Sequence, residues 1–137
     1  MEQWRQAFPP AKLHMGLANY GFSYTNLKPG EKNPPQVKKG NWFTFRQLSD
    51  LKKQGWSEKW DAVNQLPYYF SPDGRDFATL ENKKSLTYKI NYARKQQFNV
   101  FWWEYHCDLS DSKQSAFNIH PLIDHVSTTL DKKRLSQ

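Results

Sequence analysis

The sequence predicts an α/β fold built on a pair of parallel strands, and three observations lead there. Phe98 to Trp103, FNVFWW, is a nearly continuous apolar run of strand length, the pattern of a strand buried on both faces. A helix-patterned segment, Ser85 to Gln97, comes just before it, with Leu86, Ile90 and Ala93 on one face. Far upstream, Lys12 to Tyr20 alternates Leu13, Met15 and Leu17 with other residues and reads as the second strand. Helix followed by buried strand is the order of a parallel sheet. Function in such sheets sits beyond the carboxyl ends of the strands. Trp103 and Glu104, at the polar end of the central strand, are therefore the first candidates for chemistry.

The remaining elements follow in order. Met1 to Phe8 reads as the last turns of a helix, stopped by Pro9-Pro10. Gly21 ends the first strand or lets the backbone turn. Leu27 to Gly40, rich in Pro, Gly and Lys, is a loop by composition. Thr44 and Gln47 have capping-box spacing. Phe45, Leu48 and Leu51 recur on one face, and Gly55 supplies the stop of this helix. Leu66 to Phe70 is a short strand, Ser71-Pro72-Asp73-Gly74 a turn, and Arg75 to Leu80 the returning strand of a hairpin. Asn82 or Ser85 caps the next helix. Pro121 opens the last helix at its favoured first position, with Leu122, Ile123, Val126 and Leu130 inward. The organisation is strand, inserted α+β piece, helix, strand, helix. An insertion hung from the end of a parallel strand commonly walls a cleft.

Composition narrows the partners. A chain of 137 residues makes one ordinary domain. Its net charge of +7 would suit a nucleic-acid binder, but Lys38-Lys39, Lys83-Lys84, Arg94-Lys95 and Lys132-Lys133-Arg134 are short and scattered. That is a solvated surface rather than a phosphate-binding patch, so no nucleic-acid partner is expected. No apolar run approaches the roughly 18 residues that span a bilayer, and no charged start leads into an apolar signal segment. No membrane partner is expected, and the compartment stays open. Cys107 is the only cysteine, which excludes an internal disulfide and a multi-cysteine metal site. His106, Cys107 and Asp108 are adjacent and point different ways, so they do not make a metal or nucleophile cluster. His120 and His125, framed by Pro121 and Asp124, read as surface residues. No cofactor is implied. Trp102 alternates with Trp103 and should face the helices as core. Tyr68 and Tyr69 alternate likewise.

Three stretches taken together resemble a known family. WRQAFPPAKLHMGLANYGFSY resembles the approach to the seventh barrel strand of glycoside hydrolase family 18, the chitinases and chitinase-like proteins. TFRQLSDLKKQGWSEKWD, followed by Pro67-Tyr68, resembles the small chitinase insertion domain. FATLENKKSLTYKINYARKQQFNVFWWEYHCD resembles the helix and eighth strand, with the family's Trp-Glu and later Asp. The resemblance implies a partial (β/α)8 TIM barrel, its last two strands and helices, carrying an inserted small α+β domain. Residues 1–24 and 81–137 would belong to the barrel and 25–80 to the insertion. A full barrel needs about 250 residues, so this chain is expected to be a fragment. Its open sheet edge would call for the missing barrel half or for self-association.

The resemblance also implies a ligand, chitin or an N-acetylglucosamine oligosaccharide. Trp103 matches the family's tryptophan under the sugar at the cleavage site, where an indole packs on the apolar face of a pyranose. Tyr20 matches a hydrogen-bonding wall residue at the end of the seventh strand. Phe22 stands where the family carries arginine, and Leu80-Glu81 where it carries an aromatic-acidic pair. The family's catalytic acid lies in an Asp-x-x-Asp-x-Asp-x-Glu motif that this chain does not contain. No residue here is therefore assigned a catalytic role, and Glu104 is expected to be a structural carboxylate near the site. Trp42, Trp56 and Trp60 would fill the insertion's core, unless one faces the cleft as a sugar platform. Two rival readings are a non-catalytic carbohydrate-binding module and a binder that stacks single-stranded nucleic acid on its aromatics.

Overall fold

The structure is a computed structural model, and it describes residues 1–25, 40–108 and 120–131. The expected loop at 27–40 and the basic tail therefore lie largely outside the described residues. Helix α1 spans Glu2–Ala7 and leaves Trp4 and Phe8 exposed and stacked at 5.8 Å. Strand β1 is His14–Ala18, and β7 is Asn99–Trp103. They pair in parallel, from His14 beside Asn99 to Ala18 beside Trp103. This is the pairing that the helix-then-strand order predicts.

The intervening chain builds a second sheet. Its strands are β2 (Tyr20–Tyr24), β3 (Asn41–Thr44), β4 (Ser57–Asp61), β5 (Leu66–Phe70) and β6 (Phe77–Thr79). They lie in the antiparallel order β3-β2-β6-β5-β4. The strand expected over Lys12 to Tyr20 is thus shorter than its sequence suggested. It stops at Ala18, and after Asn19 the chain changes sheets, so Tyr20 opens β2 rather than closing β1. Sequence reasoning missed β2, β3 and β4.

Local chemistry explains the helices. Helix α2 (Phe45–Lys53) starts with the expected capping box, the Thr44 backbone N–H donating to Gln47 Oε1 at 2.8 Å. It ends at Gly55, whose φ of +87° is a backbone conformation that favours glycine. Helix α3 (Lys83–Lys95) is capped by Asn82, with Ser85 as its reciprocal partner. Asn82 Oδ1 accepts from the Ser85 N–H at 2.9 Å, and the Asn82 N–H donates to Ser85 Oγ at 3.0 Å. Asp61 closes the β4–β5 hairpin by accepting from the N–H groups of Val63 and Asn64. Glu58 ties three elements together, accepting from Lys52 of α2 and from the Asn82 cap of α3.

Two main clusters form the interior. Leu17, Leu86, Ile90, Leu122 and Val126 bury the space between the parallel pair and the helices α3 and α4 (Pro121–Asp131). Met15, Val100 and Trp102 pack against them from the sheet. Phe43, Leu48, Tyr69, Ala78 and Leu80 join α2 to one face of the five-stranded sheet. Leu130 is exposed instead of pointing inward.

β7 departs from the expected two-sided burial. Only its Val100 and Trp102 face meets helices, while Phe101 is 49% and Trp103 61% exposed. A two-stranded sheet has two faces, and among the described residues the helical layer covers one of them. The run is apolar on both faces, which sequence reads as buried; that reading requires a cover for the second face.

Candidate functional site at the strand ends

The carboxyl ends of β1 and β7 lie side by side, with Trp103 at the end of β7, Glu104 just past it and Tyr20 two residues past the end of β1. Trp103 closes β7 with its ring largely exposed, whereas Trp102 turns into the helical core. Period-two alternation forces this opposition. The peptide bond between Trp103 and Glu104 is cis. Beyond it, a short 3-10 turn runs Tyr105–Asp108.

Glu104 is half-buried and is held by its neighbours. Its backbone N–H donates to Asn19 Oδ1 at 2.9 Å, and its Oε1 accepts from Cys107 Sγ at 3.5 Å. Burial, and then the carboxylate of Glu104, push the Cys107 thiol up to about 11. A buried thiol held protonated is a poor nucleophile.

Asp108 is fully buried and serves α4 from outside that helix. Its carboxylate accepts from the N–H of Leu122 at 3.0 Å and of Ile123 at 2.7 Å. At the other end of α4, Arg94 of α3 donates to the carbonyls of Thr129 and Leu130. At each end of α4, two of the groups that a helix leaves unpaired thus find a side-chain partner. Burial raises the Asp108 carboxyl to about 6, against the pull of the Ile123 and Leu122 N–H groups. The folded protein then holds this proton more tightly than the unfolded chain does. Its stabilising contribution is complete below about pH 4 and is lost as pH rises to about 6. Asp108→Asn is expected to flatten that segment of a Tm-against-pH curve. A wild-type Tm that does not fall between pH 4 and 6 relative to this variant would contradict the assignment.

Tyr20 and Phe22 stand on one face of β2. The Tyr20 ring meets Phe22 edge-on at 6.1 Å and Trp42 at 5.9 Å. Trp42, paired with Phe22 across β2 and β3, is 51% exposed, so it is not part of the insertion's core. Sequence reasoning could not place it, because its orientation follows from a strand pairing that leaves no local mark. Trp56 does pack on the core beside α2, and Trp60 lies under Lys84, with Nζ 3.8 Å from the ring centre. Tyr69 is fully buried, while Tyr68 lies on the opposite face against Phe70. His120 also differs from the surface residue expected. It is half-buried, its ring lies 4.0 Å from that of Tyr105, and Nδ1 has no partner among the described residues. His125 is half-buried and within 2.7 Å of Thr87 Oγ1.

A cavity of about 240 Å³ lies along β2 and β3, bordered by Tyr24, Trp42, Leu51 and Trp56. It touches none of Trp103, Glu104, Tyr20 and Phe22, so the strand ends and this cavity are separate features. Among the described residues, no three His, Cys, Asp or Glu side chains converge to hold a metal ion, and no helix is long and apolar enough to cross a membrane.

The fold is that of the chitinases and chitinase-like proteins. A Group IV chitinase of Ostrinia furnacalis, solved in complex with allosamidin, matches with a TM-score of 0.77 and 21% identity, covering 96% of this chain and 38% of that one. An N-acetylglucosaminidase of Paenibacillus barengoltzii matches at 0.73 and 24%, covering 93% and 37%. Human YKL-39, a pseudo-chitinase with retained chitooligosaccharide binding, matches at 0.74 and 19%, covering 94% and 38%. The chain thus spans under two-fifths of the length of these proteins. Residues 1–108 match the family model of the Glycosyl hydrolases family 18, and the chain belongs to that family.

Proposed function

We propose that this chain is the C-terminal segment of a family 18 barrel and that it binds chitin or N-acetylglucosamine oligosaccharides. The observation that carries the reading is Trp103, a large apolar ring left 61% exposed at the carboxyl end of a parallel strand. An indole there offers a flat face to the apolar side of a pyranose. Tyr20 and Phe22 would wall the site, and Glu104 would sit beneath it as a held carboxylate. In this reading residues 1–24 and 81–137 belong to the partial barrel and 25–80 to the inserted α+β domain. β2, paired with β3 and β6, lies on the seam.

Hydrolysis of β-1,4 bonds would belong to the intact barrel, because the acid motif is absent from this chain. YKL-39 supports a binding role separable from catalysis, being a pseudo-chitinase that retains chitooligosaccharide binding. The uncovered Phe101 and Trp103 face and the two-stranded parallel sheet support pairing with further barrel strands or with a second copy.

Titration calorimetry with an N-acetylglucosamine oligomer, beside sedimentation of the same sample, tests the proposal. Saccharide binding without turnover, by a self-associating chain, is expected. Turnover that Glu104→Gln abolishes would reassign the catalytic residue. A monodisperse monomer that binds would favour the second reading, a self-sufficient carbohydrate-binding module. Exposed Trp42 beside Tyr20 is the observation in that reading's favour.

A further inference from the structure

We propose that Asn19 is a positioning residue that fixes the floor of the carbohydrate site against its wall. Resting on the reading of Trp103 and Tyr20 just given, this assigns a role to a side chain that sequence reasoning passed over. The parallel ladder ends at Ala18 beside Trp103. One residue later the two backbones part. The chain after β1 enters the five-stranded sheet at Tyr20, and the chain after β7 enters the 3-10 turn. At that point the Asn19 side chain supplies the next rung, with Oδ1 accepting from the Glu104 N–H at 2.9 Å. The donor is a backbone N–H, so the amide oxygen must be the atom that faces it. The bond joins the residue before Tyr20 to the residue after Trp103.

Asn19 is wholly buried, and its Nδ2 finds no partner among the described residues. Burying an amide with its two N–H donors unmet costs free energy. A plain core position would take an apolar side chain such as Leu17 two residues earlier. What Asn19 contributes in exchange is a fixed separation between the segment bearing Tyr20 and the segment bearing Trp103. A stacking floor and a hydrogen-bonding wall act together on one ligand only when their spacing is set in advance.

The pair Asn19→Leu and Asn19→Asp tests this in the 137-residue chain. Leucine has similar bulk but no acceptor; aspartate keeps an oxygen at the Oδ1 position. Two quantities are read: affinity for an N-acetylglucosamine hexasaccharide, and the fluorine resonance of 5-fluorotryptophan at position 103, assigned through Trp103→Phe. Asn19→Leu is expected to weaken binding at least tenfold and to shift or broaden the Trp103 resonance alone. Asn19→Asp is expected to keep both close to wild type. A folded Asn19→Leu variant with wild-type affinity and an unmoved Trp103 resonance overturns the proposal, whatever its Tm. If leucine prevents folding, Asn19→Ser, too short to bridge, takes its place with the same two outcomes. A wild-type chain that binds no hexasaccharide removes the carbohydrate reading. Asn19 is then judged on the resonance, which moves only if the side chain positions Trp103.

Discussion

Trp103→Ala is expected to leave the fold intact and to abolish most saccharide binding, while Trp102→Ala does the reverse. The two rings are adjacent in sequence and opposite in environment. Trp103 is 61% exposed, so truncating it removes little buried area. Its loss from a stacked complex forfeits on the order of 2 kcal/mol of apolar burial, enough to weaken affinity tenfold or more. Trp102 packs on the cluster of Leu17, Leu86, Ile90, Leu122 and Val126. Replacing it with alanine opens a cavity there and costs on the order of 3 kcal/mol. Thermal melts and calorimetric titrations of both variants separate the effects. A folded Trp103→Ala that binds as wild type does would move the site off this ring.

Gly21→Ala is expected to be among the most damaging single-methyl additions to this chain. A Cβ at Gly21 would lie 1.8 Å from the carbonyl oxygen of Thr79 and 2.9 Å from the ring of Phe43. The first of these is backbone in the neighbouring strand β6, so no side chain can step aside. β2 would have to lift from β6, costing on the order of 3 kcal/mol or more, at the upper end of overpacking effects. Tyr20 and Phe22 flank this residue, so their rings would be displaced as well. Gly16→Ala is the control. Its Cβ would meet only the tip of the half-exposed Phe101 ring at 3.0 Å, and a cost below about 1 kcal/mol is expected. Equal losses of Tm in the two variants would refute the close-approach argument.

The parts of the fold legible in the sequence are those whose causes are local. Thr44 with Gln47, Asn82 with Ser85, and Gly55 announce helix ends through chemistry confined to a few residues. The Ser71–Gly74 turn does the same for the β5–β6 hairpin, the Gly74 N–H donating to the Ser71 carbonyl at 2.9 Å. What stayed hidden depends on distant partners. SEKWD is mostly polar because β4 is an edge strand, and its pairing with β5 is what makes it a strand. The break at Asn19 interrupts an unbroken strand-like run, ANYGF, because the two halves belong to different sheets. The candidate site divides in the same way. Alternation announced that Trp102 and Trp103 oppose each other, and only the resemblance to family 18, which matched Trp103 to the sugar floor, suggested which of the two faces the core. Asn19 and Trp42 carried no local signal, since one is defined by a bond to residue 104 and the other by pairing with Phe22.

The pairing of His14 with Asn99 has a kinetic side. These partners are more than eighty residues apart along the chain, whereas β5 and β6 are joined by a tight turn. Closing the longer loop costs about 2 kcal/mol more in chain entropy. The β4–β5–β6 part of the antiparallel sheet can therefore form early from near neighbours, and the parallel pair must wait until β7 has left the ribosome and returned to β1. Throughout that interval Met15 and Leu17, the apolar face of β1, lack the helix and β7 side chains that they pack against in the folded chain. Chaperone demand during synthesis should accordingly fall on the segment that carries β1, long after it has been made.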